Sequence, residues 1–347
     1  MRLWLLLPGL LVLGLALYDA FYTTLGRGGG PLTRRLSDGA WRFTQSRLGR
    51  RVSGVFFSQL GIVVLVLALL AWTVLLWAGW VLVFLASDGA VVSATTGAPA
   101  GFWSRVYFVG YTLVTLGLGD YQPAGSAWQM ATAAASLTGL VVLSLAISYV
   151  LPVLQAAVTR RGTAAALWSL GETPEGIVRT MWDPDGDCSA FEQHLIGLTP
   201  VLTTLAQQHL AYPVLHHFRG SRRREALAPS MAALDEALSI AEHGLDGDCL
   251  SPGAFHPARA ALDTLLDRLE DQSVDPADDP PRPPSLAALR ADGYPARTDE
   301  AYREALREEV CDRRRRLLLA LVEGEGWSWD DVLEGHDDSA APRAGRP

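Results

Sequence analysis

The residue types and the spacing of residues 112–121 suggest that their backbone carbonyl groups bind a ligand. They read T-L-V-T-L-G-L-G-D-Y, so that Gly117 and Gly119 alternate with leucines. Because glycine adopts backbone angles that are closed to other residues, this alternation lets successive carbonyl groups point in the same direction. A stack of carbonyl oxygens can replace the hydration shell of a monovalent cation. The stretch is too polar to span a bilayer and too apolar for an ordinary loop, and long apolar segments flank it.

The same residues carry a family resemblance. The stretch from Thr115 to Asp120 reads T-L-G-L-G-D and resembles the potassium-channel signature T-V-G-Y-G-D. With Tyr121, Gln122 and Pro123 it resembles still more the second pore loop of two-pore-domain potassium channels, T-I-G-L-G-D-Y-x-P. The resemblance implies a selectivity filter that binds dehydrated K⁺ as the permeant ion, with no cofactor and no other metal. The ion-binding groups would be the carbonyls of Thr115, Leu116, Gly117, Leu118 and Gly119 and the hydroxyl of Thr115.

Several side chains near the filter match the family or depart from it. The resemblance implies that Asp120 adds negative potential at the outer mouth. Leu118 is a departure, because the Tyr usual at that position braces the filter from behind. Tyr107, Phe108 and Tyr111 stand where many potassium channels have a carboxylate and a tryptophan pair. We therefore expect different hydrogen bonds around Asp120, and the selectivity for K⁺ over Na⁺ stays open.

The apolar segments around the filter are predicted to be membrane helices. A crossing takes ~20 helical residues, and residues 53–87 and 127–158 suit the outer and inner helices of a pore domain at 53–161. Residues 102–114 are too short to cross and end at the glycines, which is typical of a re-entrant pore helix before the filter at 115–120. Irregular backbone at membrane depth must line a cavity or be buried in protein. One pore loop per chain then implies a homotetramer surrounded by membrane lipid.

Two residues of the predicted inner helix are candidates for a gating hinge. Gly139 lies nineteen residues after Asp120, where potassium channels similar to this one have their hinge glycine. A mid-span glycine is also frequent in membrane helices for packing alone. Pro152 removes a backbone donor and should kink the helix near its inner end, with or without a gating role. No arginine-repeat helix is present, so voltage sensing of the usual kind is not expected.

A further apolar segment precedes the pore domain. Residues 1–26 are predicted to form a transmembrane anchor helix, and residues 27–52 a basic linker with seven arginines against Asp38 alone. By the positive-inside rule this linker is cytoplasmic, so the anchor helix runs from outside to inside. Asp19 then lies near the inner membrane surface, where we expect it to pair with a nearby arginine rather than to line an ion pathway.

The second half of the chain is acidic and helical in pattern. Residues 1–160 carry ten Arg against four Asp, whereas residues 161–347 carry 19 Arg against 33 acidic residues. This balance argues against nucleic-acid binding. Residues 162–334 are predicted to form an all-α cytoplasmic domain with a proline-rich linker at 272–286, followed by a disordered tail at 335–347. No G-x-G-x-x-G motif joins a strand to a helix, so a nucleotide-binding domain is not supported and any regulatory ligand is unknown.

The histidines and cysteines of this half offer only weak site signals. Cys188, Cys249 and Cys311 are odd in number, which predicts reduced thiols. The tetrapeptide D-G-D-C, at 185–188 and 246–249, lacks the spacing of a Ca²⁺ or Zn²⁺ site and is interpreted as two turns. His216 and His217, followed by Arg219 and the arginines at 222–224, form either a pH-sensing or anion-binding patch or an exposed helix end. No catalytic triad, Walker or H-E-x-x-H motif is present, so an enzyme is disfavoured.

These patterns predict an all-α protein of the cell membrane. An anchor helix, an outer helix, a re-entrant pore helix with its filter and an inner helix are followed by an all-α cytoplasmic domain. The predicted function is passive, potassium-selective conduction through a tetrameric pore that is gated at the inner helices. Two alternatives stay open: a weakly selective monovalent cation channel, because of Leu118, and a non-conducting membrane scaffold whose helical domain binds a partner protein.

Overall fold

The computed structural model of the chain describes residues 2–26, 28–45, 54–182, 188–218, 220, 222–246, 250–270, 274–307 and 309–335. The chain divides into two compact units. One is built from residues 1–41 and 62–153, and the other from residues 42–61 and 154–347. Helices dominate the structure, which confirms an all-α membrane protein with a helical C-terminal region. The tail predicted at 335–347 lies outside the described residues except for Gly335.

Among the described residues, three helices are long and apolar enough to cross a membrane. They are α1 (Leu3–Leu25), α3 (Gly54–Leu85) and α5 (Ser126–Leu170). Each has a nearly uncharged stretch that exceeds the ~20 residues a crossing needs. The helix α4 (Phe102–Leu113) is too short for a crossing and ends immediately before residue 114. It therefore delivers the chain to residues 115–120, here called the filter segment.

The helix α1 packs closely along α3, and the two helices run antiparallel. At one end, the backbone N–H of Arg2 donates to the carbonyl of Ala86 at 2.7 Å. Further along, a Cβ on Gly9 would lie 3.0 Å from the carbonyl oxygen of Gly79. Small residues allow membrane helices to approach each other closely. The helix α1 is therefore an integral part of the first compact unit.

A helix, α2 (Pro31–Gln45), forms inside the predicted linker. Asp19 is fully buried and accepts hydrogen bonds from the backbone N–H of Leu32 and from the indole N–H of Trp72, both at 2.7 Å. Among the arginines whose side chains the structure describes, none forms an ion pair with Asp19. The arginine side chains at 27, 42, 47, 50 and 51 lie outside the described part of the chain, so the pairing stays a prediction. Free N–H groups at the start of a helix satisfy a carboxylate without a cation.

Two short strands join the segment before α4 to the segment after the filter. The strand β1 (Val91–Ser93) pairs antiparallel with β2 (Tyr121–Pro123), so that Val92 faces Gln122. The only sequence signal was the β-branched pair Val91 and Val92, and the strands were not predicted. Because β2 follows the filter segment directly, this pairing fixes the filter's outer end.

The helix α5 runs without interruption from Ser126 to Leu170, with Pro152 inside it. At 1.5 Å per residue it is ~68 Å long, about twice the hydrocarbon thickness. It extends twelve residues past position 158, where the predicted inner helix ends. The same helix therefore contributes to both compact units.

The second unit is a helical domain built around one fully buried helix. The elements after α5 are α6 (Pro174–Met181), α7 (Ser189–Ala211), α8 (Leu227–Ser239), α9 (Pro252–Glu270), α10 (Ala287–Ala291), α11 (Asp299–Ala305), α12 (Glu309–Gly324) and α13 (Trp329–Leu333). All thirteen residues of α8 are buried. The charged stretch 298–322 is divided between α11 and α12.

The buried helix α8 carries two carboxylates that arginines neutralise. Asp235 lies 2.5 Å from Arg259, and Glu236 lies 2.6 Å from Arg315. Burial raises the pKa of Glu236 to about 7, and the nearby Arg315 opposes that shift. Removing one partner of such a pair leaves an uncompensated buried charge, which costs several kcal/mol, roughly 3–5. The pairs therefore tie α9 and α12 to the centre of the domain.

The cysteines differ from the expectation. Cys188 is disulfide-bonded and buried, whereas Cys311 is a buried free thiol. The prediction of reduced thiols throughout is therefore wrong for Cys188, and Cys249 lies outside the described residues. A disulfide depends on the distance between two backbones in the fold, which the number of cysteines does not report.

Candidate functional site

The backbone of the filter segment alternates in handedness. Thr115, Gly117 and Gly119 have φ angles of 59°, 58° and 84°. The described backbone has no positive φ at Leu116 or Leu118, which lie between them. Such alternation turns successive carbonyl groups to the same side of the chain, whereas a regular strand turns them to opposite sides. The segment thus has the backbone geometry of a carbonyl ladder.

Thr115 is held in a conformation that costs energy. Among the non-glycine residues of the described backbone, Thr115 is the one with a positive φ angle. A β-branched residue there is a true outlier, and a residue held in this region costs on the order of 1–3 kcal/mol. Strain of this kind persists only where the surrounding structure imposes it, and it concentrates at ligand-binding sites.

No described residue of the chain covers the filter segment. Its six residues are all exposed. The accessible fraction of Leu116 is 63% and that of Leu118 is 51%. A Cβ added to Gly117 or Gly119 would meet no atom within 4 Å. Backbone groups at membrane depth require either a water-filled cavity or surrounding protein. A single chain supplies neither.

The segment is fastened at both ends. At its inner end, the backbone N–H of Thr115 donates to the carbonyl of Thr112 at 3.1 Å, and that of Leu116 donates to the carbonyl of Tyr111 at 2.9 Å. At its outer end, the backbone N–H of Ala94 donates to the carbonyl of Asp120 at 3.0 Å. The ladder between these anchors is therefore stretched between the end of α4 and the small sheet.

Two tyrosines on one face of α4 reinforce the outer end. The Tyr107 hydroxyl donates to Asp120 Oδ2 at 3.0 Å, and the Tyr111 hydroxyl donates to the carbonyl of Tyr121 at 2.6 Å. Residues four apart lie on the same face of a helix. The rings of Tyr107 and Tyr111 meet edge to face at 5.1 Å, and Phe108 packs against Tyr111 at 5.5 Å. Two phenols thus donate the hydrogen bonds that hold this end of the segment.

Buried polar contacts position α4 itself. The guanidinium of Arg105 is buried and donates to the carbonyl of Ala100 at 3.0 Å and to that of Phe84, at the end of α3, at 3.2 Å. The indole N–H of Trp77 donates to the carbonyl of Val106 at 3.0 Å. Arg105 and Trp77 were not among the predicted functional residues. A lone arginine within an apolar pore helix was the signal for the first, since a buried charge requires fixed partners.

The two hinge candidates have different surroundings in α5. A Cβ on Gly139 would lie 2.1 Å from the carbonyl oxygen of Leu113, the last residue of α4. Close contact with the end of α4 thus accounts for a glycine at this position. Pro152 lies half-buried in the continuous helix. A hinge at either residue therefore remains a proposal.

The candidate patch in the helical domain lies only partly at the surface. His217 is buried, and Arg223 is buried with hydrogen bonds to the Ser230 hydroxyl at 2.9 Å and to the carbonyl of Pro229 at 3.3 Å. Arg222 and Arg224 are exposed, so the cluster is divided between the interior and the surface, and both interpretations of it stay predictions. Most of each D-G-D-C repeat lies outside the described residues. Within the described part of the chain, no group of His, Cys, Asp and Glu side chains could hold a metal ion.

One basic residue fastens the end of α5 inside the helical domain. Arg160 is buried and donates to the carbonyl of Phe218 and to the carboxylate of Glu325. The other oxygen of Glu325 accepts from the backbone N–H of Ala228, at the start of α8, at 3.4 Å. Burial and the charge of Arg160 lower the pKa of His209 to about 4. The positive charge at this end of α5 is therefore neutralised within the domain.

Comparison with known proteins agrees with this geometry. Residues 70–156 match the family model described as ion channel, that of the two-transmembrane potassium-channel pore. The uncharacterized membrane protein YdjJ of Bacillus subtilis (strain 168) is 30% identical over 345 residues, which is 97% of this chain and 98% of that protein. No solved structure matches the chain. The chain belongs to the potassium-channel pore-module family and is an ion-channel protein of membranes.

Proposed function

We propose that the protein is a potassium-selective channel whose pore is formed by four copies of the chain. The observation that carries this proposal is the alternation of φ at Thr115, Gly117 and Gly119, in a segment held only at its ends. Carbonyls that share one direction replace the hydration shell of K⁺. The Thr115 hydroxyl supplies an inner site, and Asp120 adds negative potential at the outer mouth.

The exposed surfaces of a single chain support assembly around an axis. Besides the filter segment, α5 exposes an apolar stripe in which members recur every three to four residues. The stripe includes Leu137, Leu140, Ile147 and Leu151. Symmetric closed rings are the usual form of such assemblies, and a fourfold ring gives each ion a cage of carbonyls. The remaining apolar surface of α1 and α3 faces lipid.

The continuity of α5 supports a proposal for gating. We infer that the inner helices bend near Gly139 or Pro152 to close the pore, and that the helical domain biases this motion through Arg160. The basic stretch before α3 supports a cytoplasmic position for the helical domain in the cell membrane. An unidentified ligand of that domain would then shift the equilibrium between closed and open pores by its difference in affinity for the two.

The test is the reversal potential of purified protein in a planar bilayer with K⁺ on one side and Na⁺ on the other. We expect a value near the K⁺ equilibrium potential. Gly119→Ala should abolish the K⁺ current, because φ of 84° disfavours any side chain. Gly97→Ala is the matched control, since Gly97 has φ of 68° and equally open surroundings but lies outside the filter segment.

Other results would overturn the proposal in part or entirely. A reversal potential near zero would make the protein a weakly selective cation channel, with Leu118 as the first candidate for the loss. No current, together with no rubidium uptake by vesicles that contain the protein, would favour the scaffold function. Equal loss of current in the Gly97→Ala and Gly119→Ala variants would mean that strain alone, and not the filter segment, is responsible.

A further inference from the structure

The helix α2 has two chemically different faces. Leu32, Leu36 and Ala40 recur at the spacing of one helical face, whereas Arg34 and Arg35 lie away from it and are exposed. Neither arginine forms an ion pair with a residue that the structure describes. A helix with an apolar face and an arginine-bearing face is typical of segments that lie flat on a membrane surface.

The start of α2 is fixed to the membrane helices by Asp19. Its Oδ1 accepts from the backbone N–H of Leu32 at 2.7 Å and of Thr33 at 3.4 Å. Its Oδ2 accepts from the Thr33 hydroxyl at 2.8 Å and the Trp72 indole at 2.7 Å. Gly30 lies so close that a Cβ there would be 2.3 Å from Oδ1. The position of α2 along α1 and α3 is therefore set by buried contacts.

These contacts place the helix at the depth of a membrane surface. Asp19 lies sixteen residues after Leu3, the first residue of α1, which is ~24 Å along a helix. The hydrocarbon core is ~30 Å thick, so α2 begins close to the boundary opposite the chain's N-terminus. An amphipathic helix at that depth presents its apolar face to acyl chains and its arginines to headgroups.

We propose that the arginine-bearing face of α2 is a docking surface for the headgroups of anionic phospholipids. The charge of the region favours this occupant, since residues 27–51 hold seven arginines and a single acid, Asp38. Guanidinium groups form paired hydrogen bonds with phosphate oxygens. Anionic leaflets attract basic segments next to membrane helices. The inference concerns lipid binding and does not depend on ion conduction.

The test measures which lipids stay with the full-length protein. The protein is reconstituted in nanodiscs of phosphatidylcholine with about a quarter phosphatidylglycerol, extracted in mild detergent, and analysed by native mass spectrometry. The wild type should retain phosphatidylglycerol above its share of the bilayer. The double substitution Arg34→Gln and Arg35→Gln should reduce this enrichment by about threefold or more, and so should ~0.5 M KCl, which screens exposed charges.

Two control variants distinguish lipid binding at the arginine-bearing face of α2 from general attraction between arginines and anionic lipids. Arg34→Lys with Arg35→Lys keeps the charge and should retain most of the enrichment. Arg303→Gln with Arg307→Gln removes two exposed arginines of the helical domain and should leave the enrichment unchanged. The proposal is overturned if the wild type shows no enrichment. It is equally overturned if the α2 double variant retains as much phosphatidylglycerol as the wild type, or if the helical-domain variant loses as much.

Discussion

At the outer end of the filter segment, a phenol takes the place of the usual hydrogen-bonding partners. Tyr107 donates to Asp120 across 3.0 Å, and Tyr111 holds the next carbonyl. The sequence indicated that the partners of Asp120 would differ, because aromatic residues stand at the key positions of α4. It could not indicate which hydroxyl reaches the carboxylate, since that depends on the path of the chain between α4 and β2.

Replacing Tyr107 with Phe removes this donor and keeps the ring. Because the pair is exposed, we expect a modest weakening of the outer end of the filter segment. The K⁺ current during a sustained opening should then decay several-fold faster, with little change in its initial size. The measurement is a constant-voltage recording of reconstituted channels. Tyr18→Phe, an exposed tyrosine on α1, is the control, and equal decay in both variants would contradict the role of Tyr107.

His209 makes the helical domain sensitive to acid. It is buried, and its Nδ1–H donates to the carbonyl of Leu205 at 2.9 Å. Burial, with the charge of Arg160, lowers its pKa to about 4, whereas an unfolded histidine titrates near ~6.5. Protons therefore bind the unfolded chain first, so stability present above ~6.5 is lost as the pH falls toward 4. The full loss is about 3 kcal/mol.

His209→Gln should flatten this dependence, because glutamine does not titrate. The measurement is the thermal unfolding midpoint of the detergent-solubilised protein at about pH 7 and about pH 5. The wild type should lose several degrees more than the His209→Gln variant over this interval. His194→Gln, at an exposed position of the same helix α7, should behave as the wild type. The same pH dependence in wild type and His209→Gln would refute the assignment.

At the scale of elements, the long helices follow from composition and the small ones do not. Uncharged stretches longer than a bilayer crossing specify α1, α3 and α5 by hydrophobicity alone. The strands β1 and β2 have three residues each, too few for a periodic signal. The helix α2 was hidden among arginines, because its start depends on Asp19 from another helix. Short elements are specified by tertiary contacts, which a local pattern does not contain.

Gly139 allows a comparison between two glycines of one helix. A Cβ at this position would collide with the carbonyl of Leu113, whereas a Cβ on Gly162, also in α5, would meet nothing within 4 Å. Gly139→Ala should therefore destabilise the protein by about 1–3 kcal/mol. Gly162→Ala should be neutral or stabilise by up to about 1 kcal/mol, since alanine favours helices.

Thermal unfolding of the purified protein measures both changes, and gating recordings separate packing from hinge motion. A packing role lowers the unfolding midpoint in Gly139→Ala. A hinge role alone would change the open probability and leave the midpoint intact. Equal midpoints for Gly139→Ala and Gly162→Ala would therefore contradict the packing account.

At the scale of the whole molecule, a basic first half and an acidic second half of the chain share one continuous helix. The charge imbalance between the halves of the sequence indicated a membrane part and an acidic helical part. It could not indicate that α5 continues to Leu170 or that Arg160 is buried against Glu325. Basic residues after an apolar stretch usually mark the membrane boundary. Here one of them is used inside the domain that follows.

The number of chains in the assembly is the decisive property at this scale. Each chain has a mass of 37.4 kDa, so a tetramer of ~150 kDa is expected for a closed fourfold ring. Native mass spectrometry in a mild detergent measures it directly. Gly119→Ala should assemble equally well, because a Cβ at that position would meet no described atom within 4 Å. A monomer or dimer as the largest species would remove the physical basis for the pore.

The uncovered filter segment has a consequence for inheritance. In the proposed ring each chain contributes one filter segment to the ion path. A normal segment in one chain does not compensate for an altered segment in another. A cell that makes intact and Gly119→Ala chains in equal amounts would build only about one ring in sixteen from intact chains alone. One altered gene copy would thus silence most of the product of the normal one, so filter mutations would be dominant, whereas simple loss of the gene would be recessive.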